Sequence, residues 1–218
     1  MADSQFSAEL FAFLMELRKH NNREWFLENK ARYESVVRDP MLRFIAEMGP
    51  RLRTIGRHFG GGSMFRIYRD IRFSRDKSPY KTQAAAHFPH AASDRDVHAP
   101  GFYLHLEPAH CFAAAGLWHP DTTTLEKVRE RIAHRSGAWQ AVLRRRLRIE
   151  GERLSRPPRG YDATHPHIED LKLKDIITRV TFPDGAVCGP RFPAMFVRAC
   201  TTMSPLVEFL TKALKLAW

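Results

Sequence analysis

The sequence predicts an α+β fold, a mostly antiparallel sheet packed with N-terminal, central and C-terminal helices, on three observations. Apolar residues recur at helical spacing through the first third of the chain. After Gly60-Gly61-Gly62 the pattern changes to strict alternation, in Phe65–Phe73 and again in Phe102–Leu106. Helical spacing returns after Thr123 and in the C-terminal segment. With 218 residues, 44% of them hydrophobic, the chain can bury one sizeable core, so 1–218 is read as a single domain.

Ser7 is placed to cap a first helix whose Leu10, Phe13, Leu14 and Leu17 share a face. Asn21-Asn22 breaks it, and Asn22 caps a second helix bearing Trp25, Phe26, Tyr33, Val36 and Val37. Asp39-Pro40 reads as a cap followed by proline in the first turn of a third, with Met41, Phe44, Ile45 and Met48. In the first predicted strand Phe65, Ile67, Ile71 and Phe73 face one side, and Arg66, Tyr68, Asp70 and Arg72 the other. Phe102, Leu104 and Leu106 alternate with Tyr103, His105 and Glu107 in the next. Glu107-Pro108-Ala109-His110 turns the chain into a third strand, Cys111 to Trp118. Its alanines and glycine allow close approach by another element or a ligand.

Thr123 and Glu126 fit a capping box for a helix with Leu125, Val128 and Ile132. Ser136-Gly137 interrupts it before Trp139, Val142, Leu143 and Leu147. Beyond the stiff loop Arg156-Pro157-Pro158-Arg159-Gly160, a short helix opens at Pro166 and a strand covers Ile176–Phe182. A last helix is expected to start at Ser204-Pro205.

Composition narrows the function classes. No apolar run is long enough for a bilayer, and Met1-Ala2-Asp3-Ser4-Gln5 has no secretory pattern. Cys111, Cys188 and Cys200 have neither disulfide-framework nor zinc-knuckle spacing. The expectation is a cytoplasmic protein without a membrane partner; the sequence is silent on oligomeric state. The net charge of +11 is concentrated: residues 63–82 hold six Lys/Arg against two Asp/Glu, and 131–160 nine against two. Both basic stretches point to anionic partners.

The 63–82 stretch is the candidate site for an anionic small molecule. Arg66, Arg72, Lys77 and Lys81 are the ligand-binding candidates, because guanidinium and ammonium groups match phosphate or carboxylate. Asp70 and Asp76 orient those cations, and Tyr80 or His105 handles a proton; these four are the catalytic candidates. Arg69 falls among the apolar positions, so it is expected to be largely buried and paired with an acid near Asp70 or on the Asn21–Glu28 helix. Removing it would then cost about 3–5 kcal/mol. The rival readings are a nucleic-acid-binding module using basic residues 131–160, and a protein-interaction scaffold. The histidines show no HExxH or Cys/His finger, and neither a GxSxG nor a P-loop is present, so no metal and no cofactor is assigned.

Several of these segments together resemble a known family. They are Asn21-Asn22-Arg23-Glu24-Trp25-Phe26 with Lys30 and Tyr33, the Phe65–Thr82 run, and Pro100-Gly101-Phe102-Tyr103-Leu104-His105-Leu106. Ala115-Gly116-Leu117-Trp118 with Pro120, Arg156 to Tyr161, and Leu171-Lys172 with Lys174 complete the match. The chain is similar over nearly its whole length to domain of unknown function 2461. The resemblance implies a conserved protein without an assigned activity. Arg75 and Ser155 stand where the family pattern more often has lysine, and the second change removes a charge from its loop.

Overall fold

In the computed structural model, which describes residues 5–72, 75–93 and 98–218, helices cover one face of a five-stranded antiparallel sheet. The strands are β1 (Ser63–Met64), β2 (Ala84–Pro89), β3 (Gly101–Leu106), β4 (Cys111–Leu117) and β5 (Ile176–Phe182), lying side by side in chain order. The α+β architecture expected from the sequence is present.

Three helices, α1 (Ala8–Lys19), α2 (Arg23–Glu28) and α3 (Lys30–Tyr33), lead through one π turn at Glu34–Arg38 into α4 (Asp39–Arg53). Asn22 caps α2 as expected, its Oδ1 accepting from the Trp25 N–H at 2.9 Å. Asp39 is not a cap. The chain is already helical at Arg38, and the π turn just ahead of Pro40 takes up the register change its missing N–H requires.

The central helices are α5 (Thr122–His134), α6 (Ser136–Leu143) and α7 (Ile168–Leu171). Asp121, not Thr123, caps α5, its carboxylate accepting from the Thr124 N–H at 2.7 Å. An ionised acceptor suits the positive end of a helix better than a hydroxyl. The short α8 (Asp184–Val187) leads to α9 (Phe192–Ala213), which starts well before Ser204. Pro205 lies inside α9 and leaves the Thr201 carbonyl without its backbone donor; the Ser204 hydroxyl donates to that carbonyl at 2.9 Å.

The alternation of β3 and β4 sends Phe102, Leu104, Leu106, Cys111, Ala113 and Ala115 to the helix-covered face, where all are buried. Phe44, Phe192 and Phe196 meet them there, with Phe44 and Phe192 stacked at 5.6 Å. A second cluster gathers Ile132, Trp139, Leu171, Leu173, Leu206 and Leu210 around the end of α9. Arg129 ties α5 to this region, donating through Nε to the Leu171 carbonyl (2.7 Å) and through Nη2 to that of Leu173 (3.1 Å).

The predicted Phe65–Phe73 strand is not one. Only Ser63–Met64 joins the sheet as β1, and Tyr68 and Tyr80 form an isolated bridge. Residues 67–69 and 79–81 make a narrow arm through Arg69 N–H to Pro79 carbonyl (2.9 Å) and Lys81 N–H to Ile67 carbonyl (2.8 Å). Ile67 is buried, whereas Ile71 is exposed, because the far end of the arm leaves the core behind. Phe73, the fourth residue of that alternation, and Ser74 lie outside the described residues.

Candidate functional site

The opposite face of the sheet carries the other half of each alternation. Pairing aligns Ala85 with His105 and Phe112, and His87 with Tyr103 and Ala114. It also aligns Pro89 with Gly101 and Gly116. Gly101, Gly116 and Ala114 are thus neighbours on this face, with larger side chains beside them. The result is a hollow of about 360 Å³, floored by Ala85, Gly101, Ala114 and Gly116 and walled by Phe65, Tyr103, Phe112 and Trp118. Lys81, Gln83 and His87 add polar groups. The volume is at the small end of the roughly 300–1,000 Å³ typical of small-molecule sites.

Two glycines are required by this geometry. A Cβ at Gly101 would meet the His87 ring and the Phe88 carbonyl, each at 2.8 Å. Gly116 has φ +135°, and a Cβ there would lie 2.0 Å from the Ile176 carbonyl oxygen on β5.

Lys81 is half-buried, with Nζ 5.5 Å from the centre of the Phe65 ring. Burial, and then the like charges of Arg66 and Arg69, push its pKa below the ordinary lysine value. Among the described residues no carboxylate pairs with it. On the same face the Tyr103 hydroxyl and His105 Nδ1 are 2.9 Å apart, and His105 stacks on Phe112 at 4.7 Å. His105 Nε2 and His110 Nδ1 lie 3.4 and 3.5 Å from Glu107 Oε2. Burial lowers the His105 pKa against the opposing pull of Glu107, and raises that of Tyr103. Cys111, on the helix-covered face, is held by burial at about 12 and is no nucleophile at neutral pH.

Of the residues expected from the sequence to form the site, Lys81 lines the hollow and His105 stands against its wall. The others lie elsewhere on the arm. Arg66 is exposed. Arg72 forms a two-pronged pair with Asp70, Nε to Oδ1 at 3.0 Å and Nη2 to Oδ2 at 2.7 Å, and this pair holds the Asp70 pKa down at about 2. Lys77 donates to the Ile71 carbonyl at 2.8 Å. Tyr80 is buried against the Phe26 ring at 4.1 Å, and Asn21 brackets its backbone, accepting from its N–H and donating to its carbonyl.

Arg69 pairs with Asp76 at 2.8 Å, an acid of the Asp70 neighbourhood as expected, and not with one from α2. Arg69 is less buried than its place among the apolar positions implies. The two side chains are 26% and 52% exposed, so solvent screens the pair and it stabilises far less than the roughly 3–5 kcal/mol of a buried one. Two ion pairs, Arg69–Asp76 and Arg72–Asp70, thus lie along the arm, and Lys81 stands at the hollow outside both.

The floor of the hollow is not legible in the sequence, where Ala84–Pro89 carries no strand pattern. Its residues are buried on both faces, so no alternation shows. The available signal was the run of small residues in β4, read as permitting close approach, and Ala114 and Gly116 do line the hollow.

No helix among the described residues is long and apolar enough to cross a membrane. No curated protein matches the chain. The family model for conserved hypothetical proteins of domain of unknown function 2461 (DUF2461) matches residues 9–209, carrying the arm, the sheet and the hollow, and the chain belongs to that family.

Proposed function

We propose that this is a pocket protein whose outer sheet face binds a small molecule with a flat apolar body and one phosphate or carboxylate. The observation that supports it is Lys81, a half-buried cation without a carboxylate partner among the described residues, at the edge of an aromatic-walled hollow. An anion there restores to Lys81 the charge pairing that burial denies it. Arg66, exposed nearby, adds field and no contact. The reading includes a cytoplasmic location, in keeping with three unbridged cysteines.

The test uses one ring with different heads: phenyl phosphate, benzoate, benzyl alcohol and benzylamine, titrated calorimetrically. The two anions are expected to bind and the neutral and cationic probes to bind at least tenfold more weakly. Lys81→Met should weaken the anions by roughly 10- to 100-fold, the equivalent of a charged hydrogen bond of about 1.5–3 kcal/mol. Anion affinity should fall as pH rises through the depressed Lys81 pKa, at a lower pH than an exposed lysine would show. Equal binding of benzoate and benzyl alcohol would refute anion selection.

A second reading, nucleic-acid binding, draws on Arg144, Arg145 and Arg146, which follow α6 on the surface. All three are exposed, and among the described residues no carboxylate pairs with them, whereas Arg148 lies 3.5 Å from Glu150. Affinity for a labelled single strand is then expected to fall steeply with salt. Changing the three arginines to serine should flatten the log–log slope by about 2. No binding at low salt eliminates this reading.

A further inference from the structure

We propose that His105, Glu107 and His110 form a three-ligand site for a divalent transition-metal ion of the zinc type, independent of the anion-binding reading. The three side chains come from one hairpin. His105 and Glu107 lie two residues apart and so share the outer face of the sheet. The turn then brings His110 back beside Glu107, with the His110 N–H donating to the Glu107 carbonyl at 2.8 Å. One donor atom from each of the three lies within 4.8 Å of the others.

The spacing fits an ion better than a set of hydrogen bonds. Charge-assisted N–H to carboxylate contacts run about 2.7–2.9 Å. Here both imidazoles stand off, at 3.4 and 3.5 Å from the same Glu107 oxygen. Bonds of about 2.0–2.1 Å in a tetrahedron put neighbouring donors about 3.4 Å apart. Two imidazoles and one carboxylate are a donor set for zinc and its neighbours, and three protein ligands leave a fourth position for water or substrate.

The surroundings hold the donors in place. Tyr103 Oη lies 2.9 Å from His105 Nδ1, so the Nδ1–H can donate to it and leave the Nε2 lone pair for the ion. Thr82 Oγ1 is 3.5 Å from Glu107 Oε1, the carboxylate's other oxygen. The turn itself is anchored: the Ala109 N–H, at φ 63°, donates to both Asp184 oxygens at 3.2 and 3.0 Å. His105 is nearly enclosed, while His110 is half-exposed, which gives an ion a way in. Tyr103 and Phe112 touch His105 and also wall the hollow, so the two sites share a side. As a ligand, His105 has a different role from the proton carrier expected from the sequence.

The test titrates the chelator-stripped full-length chain with Co²⁺ alone, followed by visible absorption, and then with Zn²⁺ in competition. The expected result is one ion per chain with the intense bands of four-coordinate cobalt, displaced by zinc. Glu107→Gln, which keeps the side-chain shape, and His110→Ala should each weaken binding at least tenfold. At equal zinc concentration the melting temperature of the wild type should rise by more than that of either variant. Glu107→Gln decides the matter if His110→Ala does not fold. Failure to bind at micromolar Co²⁺, or affinity unchanged in Glu107→Gln, overturns the proposal.

Discussion

Gly116→Ala is expected to melt about 10 °C below the wild type, a loss of about 3–5 kcal/mol. Two effects combine. The residue has φ +135°, a region that side chains other than glycine's adopt only under strain. Its new methyl would also sit 2.0 Å from the Ile176 carbonyl oxygen, so β4 and β5 would have to part. Their register, from Cys111↔Phe182 to Leu117↔Ile176, carries both the helix-packed face and the hollow, so separation there is felt on both. Gly137→Ala is the control: nothing lies within 4 Å of its Cβ, and alanine in α6 should be neutral or favourable by about 1 kcal/mol. Thermal unfolding of the pair measures this, and a Gly116→Ala chain as stable as the wild type would mean that β4 and β5 are not paired in this register.

Ala114→Trp is expected to abolish binding of phenyl phosphate and benzoate while leaving the fold intact. Ala114 is on the floor of the hollow, opposite Tyr103 on one side and Arg179 on the other. An indole there grows into the hollow instead of into the helix-packed core, so its cost in stability should stay within the roughly 1–3 kcal/mol of an added side chain. The hollow of about 360 Å³ would lose the room a ring needs. A loss of at least 30-fold in affinity with a melting temperature within a few degrees of wild type would place the ligand on this face. Unchanged affinity would place it elsewhere and, with Lys81→Met also silent, would leave the hollow without a role in binding.

Much of the fold was legible because one periodicity governed each stretch. Leu10, Phe13, Leu14 and Leu17 are all fully buried on α1, as their helical spacing required. The alternation of Phe102, Leu104 and Leu106 placed β3 correctly, and the turn at Glu107–His110 follows it. Legibility failed where backbone groups found partners that local rules do not foresee. Ser204-Pro205 reads as a helix start, but the Ser204 hydroxyl fills the bond Pro205 leaves open and α9 runs through. Phe65–Phe73 reads as a strand, but only Ser63–Met64 joins the sheet, and Arg69 and Arg72 pair with Asp76 and Asp70 along an arm.

The sequence by itself determined the fold class, most of the core faces and the family, because burying an apolar face imposes its period directly on the residue order. It also singled out Lys81 and His105. Only the tertiary structure decided what surrounds them. The hollow is made by alanines and glycines from three strands, residues that carry no chemical signal and matter through the space they leave. The grouping of His105, Glu107 and His110 depends on a turn that brings His110 back to Glu107, with donors separated by a few ångströms. Spacing along the chain does not encode such distances, since they are set by how strands pair and how Asp184 holds the turn.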